Sequence, residues 1–395
     1  MRILMVSDVY FPRINGVSTS IQTFKQEFEK QGHEVVLIAP SYPQDYPTDE
    51  TILRINSRGV LFDPEDRMMH YRDILALLPR LREMNFDLVH IHTPFVAHYA
   101  GVKLANSLAI PCVVTYHTLF EEYLFHYIPF LPRSLLRAFA RRFSRTQCNQ
   151  VDSAVAPSSV IVDLLHRYGV EQSIDIIPTG IRSGSFSEGD GNSFRRQFGI
   201  PEDSIVLLNV SRVAHEKNLG LLLNMLKLAV QKNPKLCLVI AGEGPARKAC
   251  MEQAQQLGLK EHIYFVGYLD RATQLIDCYH SADLFVFSSR TETQGLVLLE
   301  AMAAGTPVVS VAAMGTRDIL IDCPAAQIVE DDPQAFADTL LEIVEDPARM
   351  KSLQDNCEAA VQAWDSTTMA SKMLGFYRKV LATQPANSVQ VPNEV

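Results

Sequence analysis

Residues 291–310 read TETQGLVLLEAMAAGTPVVS. The apolar run Leu296 to Ala304 predicts a buried helix that stops at Gly305 and Thr306-Pro307, and Val308-Val309 resumes as a strand. Glu292 then falls on the loop before the helix, and Glu300, eight positions later, more than a turn inside it. At about 1.5 Å rise per residue the two carboxylates stand very roughly 8 to 12 Å apart, with the amides of Thr293 to Val297 between them. Those amides and the helix dipole favour an anion such as a diphosphate, and each carboxylate can accept from hydroxyls beside it. On base rates such a pair is two solvated surface acids, so other parts of the chain must shift the reading.

Working outward, strand-like apolar runs alternate with amphipathic helical runs, the pattern of parallel sheets built from right-handed crossovers. The first half predicts strands at 3–6, 34–38, 88–91, 112–116, 153–156 and 174–177, with helices near 20–31, 71–84, 97–107 and 160–168. The second half predicts strands at 205–210, 236–241, 263–266, 284–287 and 308–311, with helices near 219–231, 246–257, 271–280 and 295–304. Between the halves the composition changes to SGSFSEGDGNS, rich in glycine and serine and without periodicity. The expectation is α/β: two doubly wound Rossmann-like domains, 1–181 and 199–365, joined by a linker at 182–198 and facing each other across a ligand-binding cleft. A helix at 366–383 is expected to pack back on the first domain, and 384–395 to be a disordered tail.

With 395 residues, 47% of them hydrophobic, the chain is long enough for two cores. A net charge of -9 gives no general case for nucleic acid as a partner. Seven scattered cysteines without a CxxC fit reduced, buried thiols in a cytosolic protein. The N-terminus MRILMVSD enters a strand directly, with no leader, and no apolar stretch of about 18 residues is present to span a membrane.

Arg212 and Lys217 lie on one predicted strand-to-helix turn, where two cations can hold a diphosphate without a metal or form an ordinary surface pair. Gly242-Glu243-Gly244 ends the next strand and either admits a ligand or simply makes a tight turn. Gly16, near the first helix, permits close approach to a phosphate or sugar. The loop carries no GxGxxG, which disfavours a dinucleotide-dependent dehydrogenase. His90 and His92 share a strand face but lack an acid or cysteine at ligand spacing, so no metal site is assigned. His117, at the carboxyl edge of its strand, can hydrogen-bond a sugar hydroxyl as a neutral imidazole or merely cap the strand.

Together, the Gly16 loop, His117, Arg212 with Lys217, and Glu292-x7-Glu300 followed by AMAAGTPVV resemble the retaining glycosyltransferases of family 4, which have the GT-B fold. The resemblance runs over roughly residues 1–380. It implies that Arg212 and Lys217 neutralise the donor diphosphate, Glu300 binds the ribose hydroxyls and Glu292 faces the donor sugar. It implies too that the backbone of Gly295, Leu296 and Val297 lines phosphate and sugar, and that His117 contacts the sugar near its 6-hydroxyl. Asn15 departs from the family, many members of which have a second glycine there. The implied reaction is hexosyl transfer from a nucleotide diphosphate sugar with retention, needing no metal or other cofactor. A same-face substitution, with the leaving phosphate taking the acceptor proton, fits the cationic clamp better than double displacement through a carboxylate.

From Tyr123 to Val151 there is no Asp or Glu but there are five arginines. On a helix from Pro132, Arg133, Arg137, Arg141 and Arg145 form one stripe with Arg142 at its boundary, and Leu135, Leu136, Phe139 and Phe143 lie opposite. An anionic lipid surface suits that stripe, at about 1 kcal/mol per nearby cation, with phenylalanines entering the headgroup region. The plain alternative is a surface helix packing Leu135, Phe139 and Phe143 into the core. The preceding HTLFEEYLFHYIPFLP adds aromatics that read as exposed. TYHTLFEEYLFHYIPF and SSRTETQGLVLLEAMAAGTPVV look like the bacterial members that glucosylate diacylglycerol. That resemblance implies UDP-glucose as donor, GDP-mannose next, and a lipid acceptor reached from the cytoplasmic face of the plasma membrane as a peripheral protein. A family transferase acting on a soluble or polysaccharide acceptor, a nucleotide-sugar epimerase and a non-catalytic binding protein are the alternatives.

Overall fold

A computed structural model describes residues 1–43, 49–60, 63–117, 119, 132–182 and 184–383. Two compact units divide the chain: Ile181–Ser366 forms one, and the residues before it, with those from Thr367 onward, form the other.

In the first unit, β1 (Arg2–Val6), β2 (Glu34–Pro40), β3 (Ile52–Ile55), β6 (Leu88–Ile91), β7 (Cys112–Thr115), β8 (Ser153–Ala156) and β9 (Ile174–Ile176) make one parallel sheet in the order β3-β2-β1-β6-β7-β8-β9. Its strands are apolar nearly without interruption because both faces are covered by helices, as parallel sheets require. An antiparallel pair, β4 (Ser57–Val60) and β5 (Asp63–Met69), stands apart from it. The helix Ser366–Thr383 buries Met369, Met373 and Tyr377 in the same core as Ile3, Met5, Phe24 and Phe28.

The second unit orders β10 (Ile205–Val210), β11 (Leu236–Ala241), β12 (Ile263–Gly267), β13 (Leu284–Phe287), β14 (Val308–Val311) and β15 (Ala326–Val329) as β12-β11-β10-β13-β14-β15, again all parallel. Period-two alternation splits its strands between two cores. Leu207, Leu238 and Val286 join the helices Leu219–Lys232 and Pro333–Glu345 on one face, while Val206, Leu208, Val239 and Phe285 join Gln274–His280 and Leu296–Ala303 on the other. Chain order reverses between β10 and β13, so the loops leaving these two neighbours diverge at the carboxyl edge, where such sheets leave a crevice.

The segment 182–198 is not a flexible linker over its length. It contains the helix Gly191–Phe198, capped by Asp190, and buries Phe186 and Phe194 in the second unit. Its glycines serve close packing: a Cβ on Gly191 would lie 2.2 Å from the His280 carbonyl oxygen. The helix expected over 71–84 is two, Tyr71–Ala76 and Leu78–Glu83, because Pro79 cannot donate into a continuing ladder. All seven cysteines are free and only Cys323 is partly exposed. Among the described residues no helix is long and apolar enough to cross a membrane. The aromatic residues of 120–131, the side chain of Arg133 and the tail 384–395 lie outside the described residues.

Candidate active site

In the second unit the site is built on the divergence of β10 and β13. Asn209, buried near the end of β10, donates to the Val286 carbonyl at 2.9 Å and accepts from Ser211 Oγ at 2.8 Å, which ties the departing loop to the neighbouring strand. The same loop is braced on its other side by Gly242 and Gly244. A Cβ at these positions would stand 2.0 Å from the Ser211 carbonyl oxygen and 2.4 Å from that of Val213. The backbone these glycines admit is therefore the chain's own, and Val213 is paired in both directions with the loop 243–246, at 2.9 Å each. Arg212 sits half-buried between the braced residues.

Lys217 ends a short 3-10 turn, and Asn218 follows with φ 54 before the helix Leu219–Lys232. Buried Ser288, just past β13, donates to the Lys217 and Asn218 carbonyls at 3.1 and 3.0 Å. That contact brings the two loops together, and Lys217 Nζ pairs with Glu292 Oε1 at 2.5 Å, both side chains 19% exposed. Gly315 holds the Glu292 segment from behind: its amide donates to the Glu292 carbonyl at 2.9 Å, and a Cβ there would meet the Thr293 carbonyl oxygen at 2.0 Å. Gly295 opens the helix Leu296–Ala303 with φ 99, a conformation that favours glycine, and its carbonyl accepts from the Leu298 amide at 3.0 Å.

Glu300 is not a solvated surface acid. Only 3% exposed, it accepts from Arg271 Nη2 at 2.5 Å on Oε1 and from the Tyr279 hydroxyl at 2.9 Å on Oε2. Its charge raises the pKa of the Arg271 guanidinium, and burial, reinforced by that charge, pushes the Tyr279 phenol well above its usual value. A carboxylate has about four lone-pair positions, so one remains on each oxygen, a match for two adjacent hydroxyls. Arg271 and Tyr279 were invisible to motif reading. They come from the loop after edge strand β12 and from the helix Gln274–His280, and no spacing links them to Glu300.

The first unit places its candidates on β1, β6 and β7. Asn15 caps the helix Gly16–Lys30: its side chain accepts from the Ser18 amide at 2.9 Å while Ser18 Oγ accepts from the Asn15 amide at 3.0 Å. The departure from glycine at position 15 is thus a capping box. Gly16 is exposed, and a Cβ there would meet nothing within 4 Å, so the fold itself does not demand glycine. His90 is held by the Tyr377 hydroxyl at 2.6 Å and by Thr115 Oγ1 at 2.7 Å. The His92 ring lies tilted against it with centroids 4.0 Å apart, and His92 Nδ1 lies 3.1 Å from His117 Nε2. Burial pushes His90 down to about 3, His117 to about 4 and His92 well below the usual imidazole value, so the row is neutral.

The arginine-bearing helix spans Arg133–Cys148. Its buried face is Leu136, Ala140, Ser144 and Gln147, whereas Leu135 and Phe139 are 56% and 54% exposed. The expected grouping of Leu135 with Leu136 on one face fails for this reason. Arg145 pairs with Glu171 at 3.2 Å, an acid beyond the acid-free window, and Arg141 lies over the Tyr168 ring. Arg137, Arg141 and Arg142 are exposed, and Phe143 stacks on Phe139 with centroids 5.9 Å apart.

Two facing loops at a switch point, two cations on a braced turn, a helix N-terminus and a buried carboxylate with spare acceptors accompany the two parallel-sheet domains of a GT-B glycosyltransferase. Residues 190–362 match the profile of the glycosyl transferases group 1, and residues 14–183 that of glycosyltransferase family 4. The chain is 34% identical over 323 residues to the alpha-monoglucosyldiacylglycerol synthase of Streptococcus pneumoniae, covering 78% of this chain and 71% of that protein. It is 27% identical over 394 residues to the enzyme of the same name from Acholeplasma laidlawii, covering 95% and 96%. The crystal structure of Anabaena HepE with UDP and glucose superposes with a TM-score of 0.76 at 17% identity, over 96% of this chain and 100% of that one. This chain belongs to the family 4 glycosyltransferases.

Proposed function

We propose that the protein transfers a hexose, with retention, from a nucleotide diphosphate sugar to a membrane lipid such as diacylglycerol. UDP-glucose is the favoured donor and GDP-mannose the next. The observation that carries the lipid acceptor is the outward position of Leu135 and Phe139 among the arginines of helix Arg133–Cys148. An ordinary surface helix would bury them; a helix lying on an anionic lipid surface would expose them. The names of the two relatives support the same acceptor. On this reading the protein is peripheral at the cytoplasmic face of the plasma membrane.

Arg212 and Lys217 neutralise the diphosphate, which dispenses with a metal or other cofactor. The amides of Gly295, Leu296 and Val297 receive phosphate and sugar oxygens, and Gly16 admits close approach of the donor. Glu300 accepts the two ribose hydroxyls on its spare lone pairs, Glu292 faces the donor sugar, and His117 hydrogen-bonds the sugar near its 6-hydroxyl. In a same-face substitution the bond from the anomeric carbon to the diphosphate oxygen breaks as its bond to the acceptor oxygen forms. The acceptor proton passes to the released diphosphate, whose charge the two cations stabilise. The pairing of Glu292 with Lys217 supports this route over double displacement, because it occupies the carboxylate that would otherwise serve as nucleophile.

The test is a mass-spectrometric screen of membrane lipids incubated with the protein and a panel of UDP- and GDP-sugars. A hexosylated glycerolipid is the expected product. Hexosylation of soluble acceptors only, or sugar interconversion without an acceptor, would overturn the reading.

A further inference from the structure

Between the helix Arg133–Cys148 and the ends of β6 and β7 lies a pocket of about 20 Å³, walled by His92, Thr115, His117, Phe143, Ser144 and Gln147. A single water needs roughly 10–15 Å³, so the space suits one oxygen-sized group and no ring. Polar groups around it find partners within the chain: the Tyr116 hydroxyl meets Ser144 Oγ at 3.0 Å, and Gln147 Nε2 donates to the Pro94 carbonyl at 2.5 Å. His92 is different. It is 2% exposed, its Nδ1 is engaged with His117, and its Nε2 is buried with no hydrogen-bond partner among the described residues. Its neighbour His90 has both nitrogens engaged, so of the two histidines on this strand face the shortfall falls on His92.

One proton must lie between His92 Nδ1 and His117 Nε2. Were it on His117, neutral His92 would carry its own proton on Nε2, as a buried donor with no acceptor. With the proton on His92 Nδ1, Nε2 is instead a bare lone pair. Orphaned buried donors are the rarer of the two, so the lone pair is the favoured state. A buried acceptor beside a space for one oxygen is matched by a hydroxyl that donates to it.

We propose that this pocket seats the reacting hydroxyl of the acceptor alcohol, with its O–H donating to His92 Nε2. The inference rests on the lipid-acceptor reading above. The helix that turns Leu135 and Phe139 outward also supplies Phe143, Ser144 and Gln147 to the pocket, so a single element serves the lipid's apolar part and its hydroxyl. During transfer the seated oxygen forms the new bond to the anomeric carbon as the bond to the diphosphate breaks, and the hydroxyl proton leaves with the diphosphate. His92 holds the O–H and takes no proton, because its burial keeps the imidazole neutral.

The test uses the full chain, with ¹⁵N-labelled histidine, UDP-glucose and dioctanoylglycerol in neutral micelles. The expected result is an unprotonated His92 Nε2 resonance that shifts further when dioctanoylglycerol is added to the chain already holding UDP-glucose. His92→Phe should raise the KM for dioctanoylglycerol at least tenfold, and by more than it raises the KM for UDP-glucose. Should that variant not fold, His92→Gln, which keeps a carbonyl acceptor, should retain more acceptor affinity than His92→Ala. A protonated Nε2, a resonance unmoved by dioctanoylglycerol as for a resident water only, or an unchanged KM overturns the proposal. A wild-type chain that glucosylates dioctanoylglycerol without moving the resonance refutes the pocket alone. A chain that hexosylates no lipid refutes the acceptor reading and the pocket with it.

Discussion

Lys217 Nζ and Glu292 Oε1 stand 2.5 Å apart, joining the loop after β10 to the loop after β13. The pair makes each residue's contribution depend on the other. Lys217→Ala leaves Glu292 as an unpaired negative charge beside the proposed diphosphate, and Glu292→Gln frees Lys217 to move. Each substitution, and Arg212→Ala, is expected to lower kcat/KM at least a hundredfold, about 2.7 kcal/mol. The Lys217→Ala/Glu292→Gln double variant should lose far less than the product of the two single losses, because residues in contact are not additive. Steady-state kinetics on the four proteins checks this, and near wild-type transfer by Lys217→Ala would sink the clamp.

Glu300 keeps its place through Arg271 and Tyr279, so those two should behave as positioning residues for nucleotide binding. Tyr279→Phe removes a buried donor and should cost about 1–3 kcal/mol of stability. Arg271→Ala leaves a nearly buried carboxylate without its cation and should cost more, on the order of 3 kcal/mol. Both variants should raise the KM for the nucleotide sugar more than they lower kcat. Calorimetric UDP titration with thermal melts separates the effects, and an unchanged UDP affinity in Arg271→Ala would disprove the link.

Why Arg271 and Tyr279 escaped the sequence while Glu292 and Glu300 did not follows from how each is placed. The glutamates sit on one loop and its helix, where local periodicity fixes their relation, and Arg212 and Lys217 share one turn in the same way. Arg271 reaches Glu300 from the loop after edge strand β12, a tertiary relation that no spacing records. The central strands were legible because burial on both faces makes them continuous apolar runs. Strands β3, β4, β5 and β15 were not: ILRI carries an arginine at a half-buried position and SRGV one at an exposed position, and AQIV is too short and mixed to stand out. At 182–198 composition misled, because glycines that permit backbone contact at His280 look the same in sequence as glycines that permit flexibility.

The histidine row should make the fold acid-sensitive. His90, His92 and His117 have folded pKa values below the unfolded value of 6.5, so between about pH 6.5 and 4 the unfolded chain binds protons that the native chain refuses. Stability therefore falls as pH falls through that window. Asp8, buried and pushed up to about 6, acts with the opposite sign: it stays protonated in the native state, and its contribution is lost as pH rises from 3.8 through 6. Three imidazoles outweigh one carboxyl, so the net effect is a loss of stability as pH falls near pH 5. Asp8→Asn removes the opposing contribution and should steepen the acid limb of a denaturation series. A flat profile between pH 6.5 and 4.5 would contradict the neutral row.

On the helix Arg133–Cys148, stability and membrane attachment should separate by face. Leu136 is 4% exposed, so Leu136→Ala removes core contacts and should cost about 2–5 kcal/mol. Phe139 is 54% exposed, and Phe139→Ala should leave the melting temperature nearly unchanged while weakening attachment to anionic vesicles. Serine at Arg137, Arg141 and Arg142 should abolish attachment at low salt, since each cation near an anionic surface contributes about 1 kcal/mol. Added salt should mimic that loss in the wild-type chain, because the attraction is screened within roughly 8–10 Å at physiological ionic strength. Vesicle sedimentation over a salt series reads both effects. Attachment that survives the three serines, or depends on Leu136 rather than Phe139, would remove the lipid surface as the reason for this helix's exposed phenylalanine.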